Sequence, residues 1–132
     1  YVTENEYYAS RALNIIKTDR INLYYLTALL NSNISNFWFA NKGKLNGRML
    51  QIDKEPLIKF PIFKTDDKKH HDHLVILVEQ MLEAKQKQQT LTLEKDIDYY
   101  EKKCTTLDRQ IDNLVYKLYD LTEEEIRIIE NV

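Results

Sequence analysis

The sequence holds 132 residues with two glycines, two prolines, a single cysteine and a formal net charge of −2. That length accommodates one domain, or a small domain with an appendage, and the shortage of turn formers points to helices. Cys104 has no internal disulfide partner and fits a reducing compartment; no leader-like basic and apolar start is present, nor anything near the roughly 18 consecutive apolar residues of a membrane span. A chain opening on Tyr1 rather than Met reads as a piece of a longer protein.

The near-neutral total conceals an asymmetry. Residues 1–64 carry nine Lys and Arg against five acids, a net +4, whereas residues 65–132 carry ten against sixteen, a net −6. A basic segment followed by an acidic one raises the question of a polyanionic partner for the first segment alone.

In chain order, Leu13, Ile15 and Lys17 alternate with Ala12, Asn14 and Ile16, which predicts a strand over about residues 11–17. Asp19 is placed to cap a helix from Ile21 whose apolar face carries Leu23, Leu26, Leu29 and Leu30. The polar break at Asn31–Asn33 predicts a bend, with Ser32 or Asn33 capping a second helix to about Ala40. Next, "NKGKLNGR" (41–48) concentrates both glycines and three cations in eight positions, a backbone that turns or approaches something closely. "MLQI" predicts a short strand, Pro56 suits the first turn of a short helix entered at Asp53, and Pro61 forces an extended exit.

From about Lys68 two heptad seams follow. The first runs Leu74, Leu77, Met81, Ala84, Gln88, Leu91; the second runs Ile97, Tyr100, Cys104, Leu107, Ile111, Leu114, Leu118, Leu121. Their registers do not join, and the slip falls at "QTLTLEK", where Thr90 and Thr92 are weak helix formers. Two antiparallel arms of about 35 Å each explain the slip better than one helix with a stutter, although a stutter remains compatible with the pattern. Finally Thr122 and Glu125 have the Thr-x-x-Glu spacing of a capping box that opens a short last helix. Such a helix is unstable alone, so Ile126, Ile128 and Ile129 must pack on something. The resulting fold class is α+β, mostly helical: a small α/β unit, a long coiled-coil-like helical hairpin and a short C-terminal helix.

No catalytic signature stands out: the chain has no phosphate loop, HExxH or nucleophile elbow. His70, His71 and His73 tempt a metal reading, but only 70 and 73 share a helical face and no distant arm completes a site. The tyrosines on helices read as packing residues, with Tyr7 and Tyr8 a weaker candidate ligand face. Lys42, Lys44 and Arg48 in the glycine-bearing loop make the best candidate site, since phosphate binding needs cations on a closely approaching backbone. Arg48 and Arg11 supply the planar donors that base edges require, and Asn46 has the chemistry to read adenine.

The order of these features, "LNIIK", "LYYLTALLNSNISNFWF", the Gly/Arg loop, "PLIKFPIF", the heptads and "IDNLVYKLYDLTEEEIRIIE", resembles the C-terminal target recognition (specificity) domain of TaqI-like and type IIG restriction-modification adenine-N6 DNA methylases. That family is related to the specificity subunits of type I systems. The likeness runs along essentially the whole chain and is most specific in "LLNS", "FPIF" and the closing stretch. It implies sequence-specific recognition of double-stranded DNA by residues 1–64, with Arg11, Lys42, Lys44, Asn46 and Arg48 as candidate DNA-binding residues. Residues 65–132 would be a helical spacer facing protein or solvent. It also implies a prokaryotic cytoplasmic setting and a fusion partner that binds S-adenosylmethionine, methylates and in many relatives cleaves. The methylase "NPPY"-type loop and any nuclease core are missing here, so no catalysis, cofactor or metal is expected of this segment itself. The alternative expectation is a coiled-coil assembly module that homodimerises through its heptads without touching bases.

Overall fold

A computed structural model describes residues 14–46 and 49–131. Six helices and one β-hairpin succeed one another: α1 (Leu23–Asn31), α2 (Asn33–Lys42), β1 (Lys44–Asn46), β2 (Met49–Gln51), α3 (Lys54–Ile58), α4 (Lys68–Thr90), α5 (Glu94–Leu118) and α6 (Glu123–Glu130). The protein is therefore mostly helical, organised around the long hairpin of α4 and α5.

The hairpin forms where the heptad registers slip. Asp67 starts α4 by accepting from the Lys69 and His70 N–H groups, and α4 ends at Thr90. Three residues then lead into α5, and the two apolar seams face each other. Leu74, Leu77, Val78 and Ala84 of α4 are buried with Cys104, Leu107, Ile111, Val115 and Leu118 of α5. A fully buried Leu or Val is worth about 1.5–3 kcal/mol, which is what holds arms that have little intrinsic helix preference at their polar tip.

α1 lies across α4, and the bend at Ser32 returns α2 against α5 and α6. Tyr25, Ala28 and Leu29 from α1, Phe39 from α2 and Phe60 after α3 join the hairpin residues in one continuous apolar cluster. The two oppositely charged segments thus share one core.

Several local expectations change. The strand over 11–17 lies partly outside the described residues, and Asn14–Lys17 form no strand. α1 starts at Leu23, two residues later than the start at Ile21 expected from a cap at Asp19, because the Asn22 side chain, not Asp19, accepts from Tyr24 and Tyr25 N–H. Ser32 occupies the N-cap position of α2 but gives it no side-chain cap bond; its hydroxyl donates back to the Leu29 carbonyl at 2.8 Å. The short strand, the Pro56 helix and the Thr122–Glu125 capping box occur at the positions expected of them, and the helix around Pro56 has ended before Pro61.

α5 closes on a left-handed residue. Asp120 has φ 52, the Leu121 N–H reaches the Tyr116 carbonyl and the Asp120 N–H reaches that of Lys117. This is the Schellman arrangement with aspartate in the place glycine usually takes. Only Leu121 separates it from Thr122, whose side chain and that of Glu125 cap α6 reciprocally.

Candidate nucleic-acid interface

The glycine-bearing loop is carried on a small aromatic scaffold. Trp38 in the middle of α2 donates its indole N–H to the Pro56 carbonyl in α3 at 3.0 Å. Phe60 stacks on Phe39 with ring centroids 5.7 Å apart and meets Trp38 edge-on at 6.1 Å. These contacts clamp α3 onto α2, so the chain between them must leave and return within a short span. It does so as the antiparallel pair β1–β2, in the register Lys44↔Gln51, Leu45↔Leu50, Asn46↔Met49. On the other side, Asn14 donates to the Ile52 carbonyl at 2.8 Å, tying the N-terminal segment to the base of the hairpin.

Lys42 sits in the last turn of α2, where a cation complements the negative end of the helix dipole, with its Nζ 5.9 Å from the Trp38 ring centroid. Such cation–π placement holds the ammonium while leaving it exposed. Gly43 follows with an extended backbone and its N–H on the Phe39 carbonyl at 2.7 Å. Lys44 and Asn46 occupy alternate positions of β1. Of the five residues expected to meet DNA, the structure thus brings Lys42, Lys44 and Asn46 into one turn-and-strand segment; Arg11 and Arg48 lie outside the described residues.

The three histidines diverge. His70 Nε2 lies 3.0 Å from the Leu114 carbonyl across the hairpin, His71 stacks on Tyr25 at 4.9 Å and bonds Asp72, and His73 is exposed. Among the described residues no group of three metal-ligating side chains converges, and no helix is long and apolar enough to cross a membrane.

A second polar constellation was not anticipated. A cleft of about 510 Å³ between α1–α2 and the hairpin is floored by Val78, Met81 and Ile111 and edged by Lys85, Asp108 and Asp112. Asp112 accepts from both the backbone and side-chain N–H groups of Asn33, and Asn33 also donates to the Tyr116 hydroxyl at 3.2 Å. Burial raises the Asp112 carboxyl above the usual aspartate range, against the lowering effect of the Asn33 bond, and Asp108 and Glu130 push it the same way. Asp108 is also raised by burial, with Lys85 opposing. The aspartate flanks the seam by one position, which is the only trace of this role in the sequence.

No protein-family model, curated protein or solved structure matches this chain.

Proposed function

We propose that this chain is the target recognition (specificity) module of a restriction-modification adenine-N6 DNA methylase, one whose catalytic domain binds S-adenosylmethionine and also cleaves or is linked to a nuclease. Residues 1–64 serve as a small α/β unit that docks on duplex DNA in a prokaryotic cytoplasm; residues 65–132 set its position relative to the catalytic domain. The observation that carries the reading is the β1–β2 hairpin. It is a basic excursion, entered at Gly43 and held at its base by Trp38 and Pro56, with Lys42 presented at its entrance. Phosphate contacts from such lysines fix register on the duplex, and a few base-edge bonds choose the sequence. The charge asymmetry of the chain and its resemblance to specificity domains support the same assignment.

An assembly module dimerising through the heptads has less support. The seams from Leu74 to Ala84 and from Tyr100 to Leu118 already pack on each other within the hairpin, so pairing between chains through them would require the hairpin to open.

The test exchanges residues 1–64 for those of a relative of different specificity in the intact enzyme and maps the methylated adenines. The methylated sequence is expected to follow the exchanged segment; an unchanged sequence refutes the assignment.

A further inference from the structure

The acidic half of the chain hides a cationic face. Successive residues of an α-helix are about 100° apart around its axis. On α5 the seam residues Cys104, Leu107 and Ile111 turn toward the hairpin core, and Asp108 and Asp112 border the cleft under α1 and α2. Lys95, Lys102, Arg109 and Lys117 fall within an arc of about 80° directed away from both, and all four are exposed. Tyr99, Thr106 and Asn113 share the arc, and none of the acids of α5 does; Asp98 borders it. Among the described residues none of these four cations makes an ion pair. Lys103, by contrast, lies at the α4 edge over the Tyr100 ring and near Glu83, and belongs to the hairpin's own surface.

The spacing is regular. Lys95, Lys102 and Arg109 recur every seven residues, about 10.5 Å along the axis, and the stripe to Lys117 spans about 33 Å. That is close to one turn of duplex DNA, roughly 34–36 Å. A row of unpaired, single-sign charges on a straight rod has nothing to gain from an apolar or cationic partner. Its complement is an extended polyanion whose charges also run in a line.

We infer that the outer face of α5 is a second DNA contact, a sequence-independent track for the sugar-phosphate backbone. The helical hairpin then contributes to the grip on the duplex as well as acting as a spacer. This rests on the reading of the chain as a DNA-docking module.

The test measures anisotropy of a labelled 30-base-pair duplex titrated with the full chain across a salt series, and repeats it with single-stranded RNA of equal length. The stripe variant carries Lys95→Gln, Lys102→Gln, Arg109→Gln and Lys117→Gln; a second replaces the three lysines by Arg and keeps the charge. A third, Lys42→Gln with Lys44→Gln, reports on the loop. Loss of four phosphate contacts is expected to flatten the slope of log affinity on log salt by about 3.6 and to weaken duplex binding at least about tenfold at low salt. The arginine variant should bind as the unsubstituted chain does. An unchanged slope in the stripe variant, with the loop variant weakened, overturns the stripe while leaving the DNA reading standing. Weakening confined to RNA overturns it as well. Absence of duplex binding by the unsubstituted chain removes the reading on which it rests.

Discussion

The Asp112 carboxylate accepts the Asn33 backbone N–H at 2.8 Å and the Asn33 side-chain N–H at 2.9 Å. A residue of α5 therefore caps α2 from 79 positions away, doing the work that Ser32, bonded back to Leu29, leaves undone. An N-cap partner is worth about 0.5–2 kcal/mol, and here the same bond welds α2 to the hairpin.

Asp112→Ala is expected to destabilise the fold by about 1–2 kcal/mol, read by chemical denaturation at pH 7. Because burial raises the folded-state value of Asp112, the cost of holding its charge in the fold is absent below the unfolded aspartate value of about 4 and is fully present once pH has risen through the folded value, while the bonds from Asn33 persist. Asp108 acts in the same sense. Asp112→Asn keeps an acceptor for Asn33 without a charge to bury. It should flatten the fall of Tm as pH rises above about 4, and a steeper fall would contradict this account.

At alkaline pH the tyrosines govern. Tyr25 donates its hydroxyl to the Phe63 carbonyl at 2.9 Å, and burial, with Tyr119 nearby, pushes its ionisation up to about 12. Tyr119 donates to the Pro61 carbonyl at 2.6 Å and is raised by burial too. Both hold the 61–63 segment against the helices. Raised values mean their stabilisation is intact below the unfolded tyrosine value of about 10 and is lost as pH rises through each folded value, which for Tyr25 is about 12. Ultraviolet difference titration should show these two tyrosines ionising above the ordinary tyrosine range, as Tyr116 also should, together with unfolding. Tyr25→Phe and Tyr119→Phe should each cost about 0.5–1.5 kcal/mol at pH 7.

Leu74 is wholly buried between the arms and α1. Leu74→Ala should cost about 2–5 kcal/mol, whereas Ile76→Ala, two positions along and 48% exposed, should stay within about 0.5 kcal/mol of the parent chain. Equal effects in urea denaturation would contradict the packing described for α4.

Asp120 holds a positive φ that costs a non-glycine residue about 1 kcal/mol. Asp120→Gly should leave stability unchanged or raise it by up to that amount, and Asp120→Val should lower it; thermal melts of the pair decide the matter.

For recognition, Arg48→Ala in the intact protein should lower affinity for the target duplex by about 1–3 kcal/mol and relax specificity at one base position if the guanidinium makes a bidentate base contact. Lys42→Ala should weaken binding to all sequences alike and reduce the salt slope by about 1. Competition binding against cognate and scrambled duplexes separates the two behaviours.

Much of this architecture is legible in the residues alone. Heptad spacing and the slip at Thr90–Thr92 located both arms and their turn, since the pattern of burial on a long helix is a local property of sequence. The capping box at Thr122 was equally local. What the sequence concealed depends on contacts between distant segments. Asn22 displaced Asp19 as the cap of α1, and Asp112 replaced Ser32 at α2. Tyr116, off the main seam, is buried by Asn33 and by α6, whose Glu130 it meets at 3.4 Å. The stripe on α5 was visible as a seven-residue recurrence of cations, yet the net charge of −6 for residues 65–132 averaged it away. Of the loop residues, composition picked out Lys42, Lys44 and Asn46 as neighbours, but the aromatic clamp of Trp38 on Pro56 that holds their loop needed the fold.

The joint between α5 and α6 has a consequence for how this chain tolerates length change. Exposed turns normally accept inserted residues. Here the terminating bonds from Asp120 and Leu121 and the reciprocal bonds of Thr122 and Glu125 follow one another directly, leaving no slack between them. A residue added within this elbow would pull the terminating bonds away from the capping bonds and draw Glu130 off Tyr116. A whole heptad added to each arm would leave the elbow untouched. Variation in length should therefore gather at the far tip of the hairpin, around Leu91–Leu93, and be scarce at the elbow.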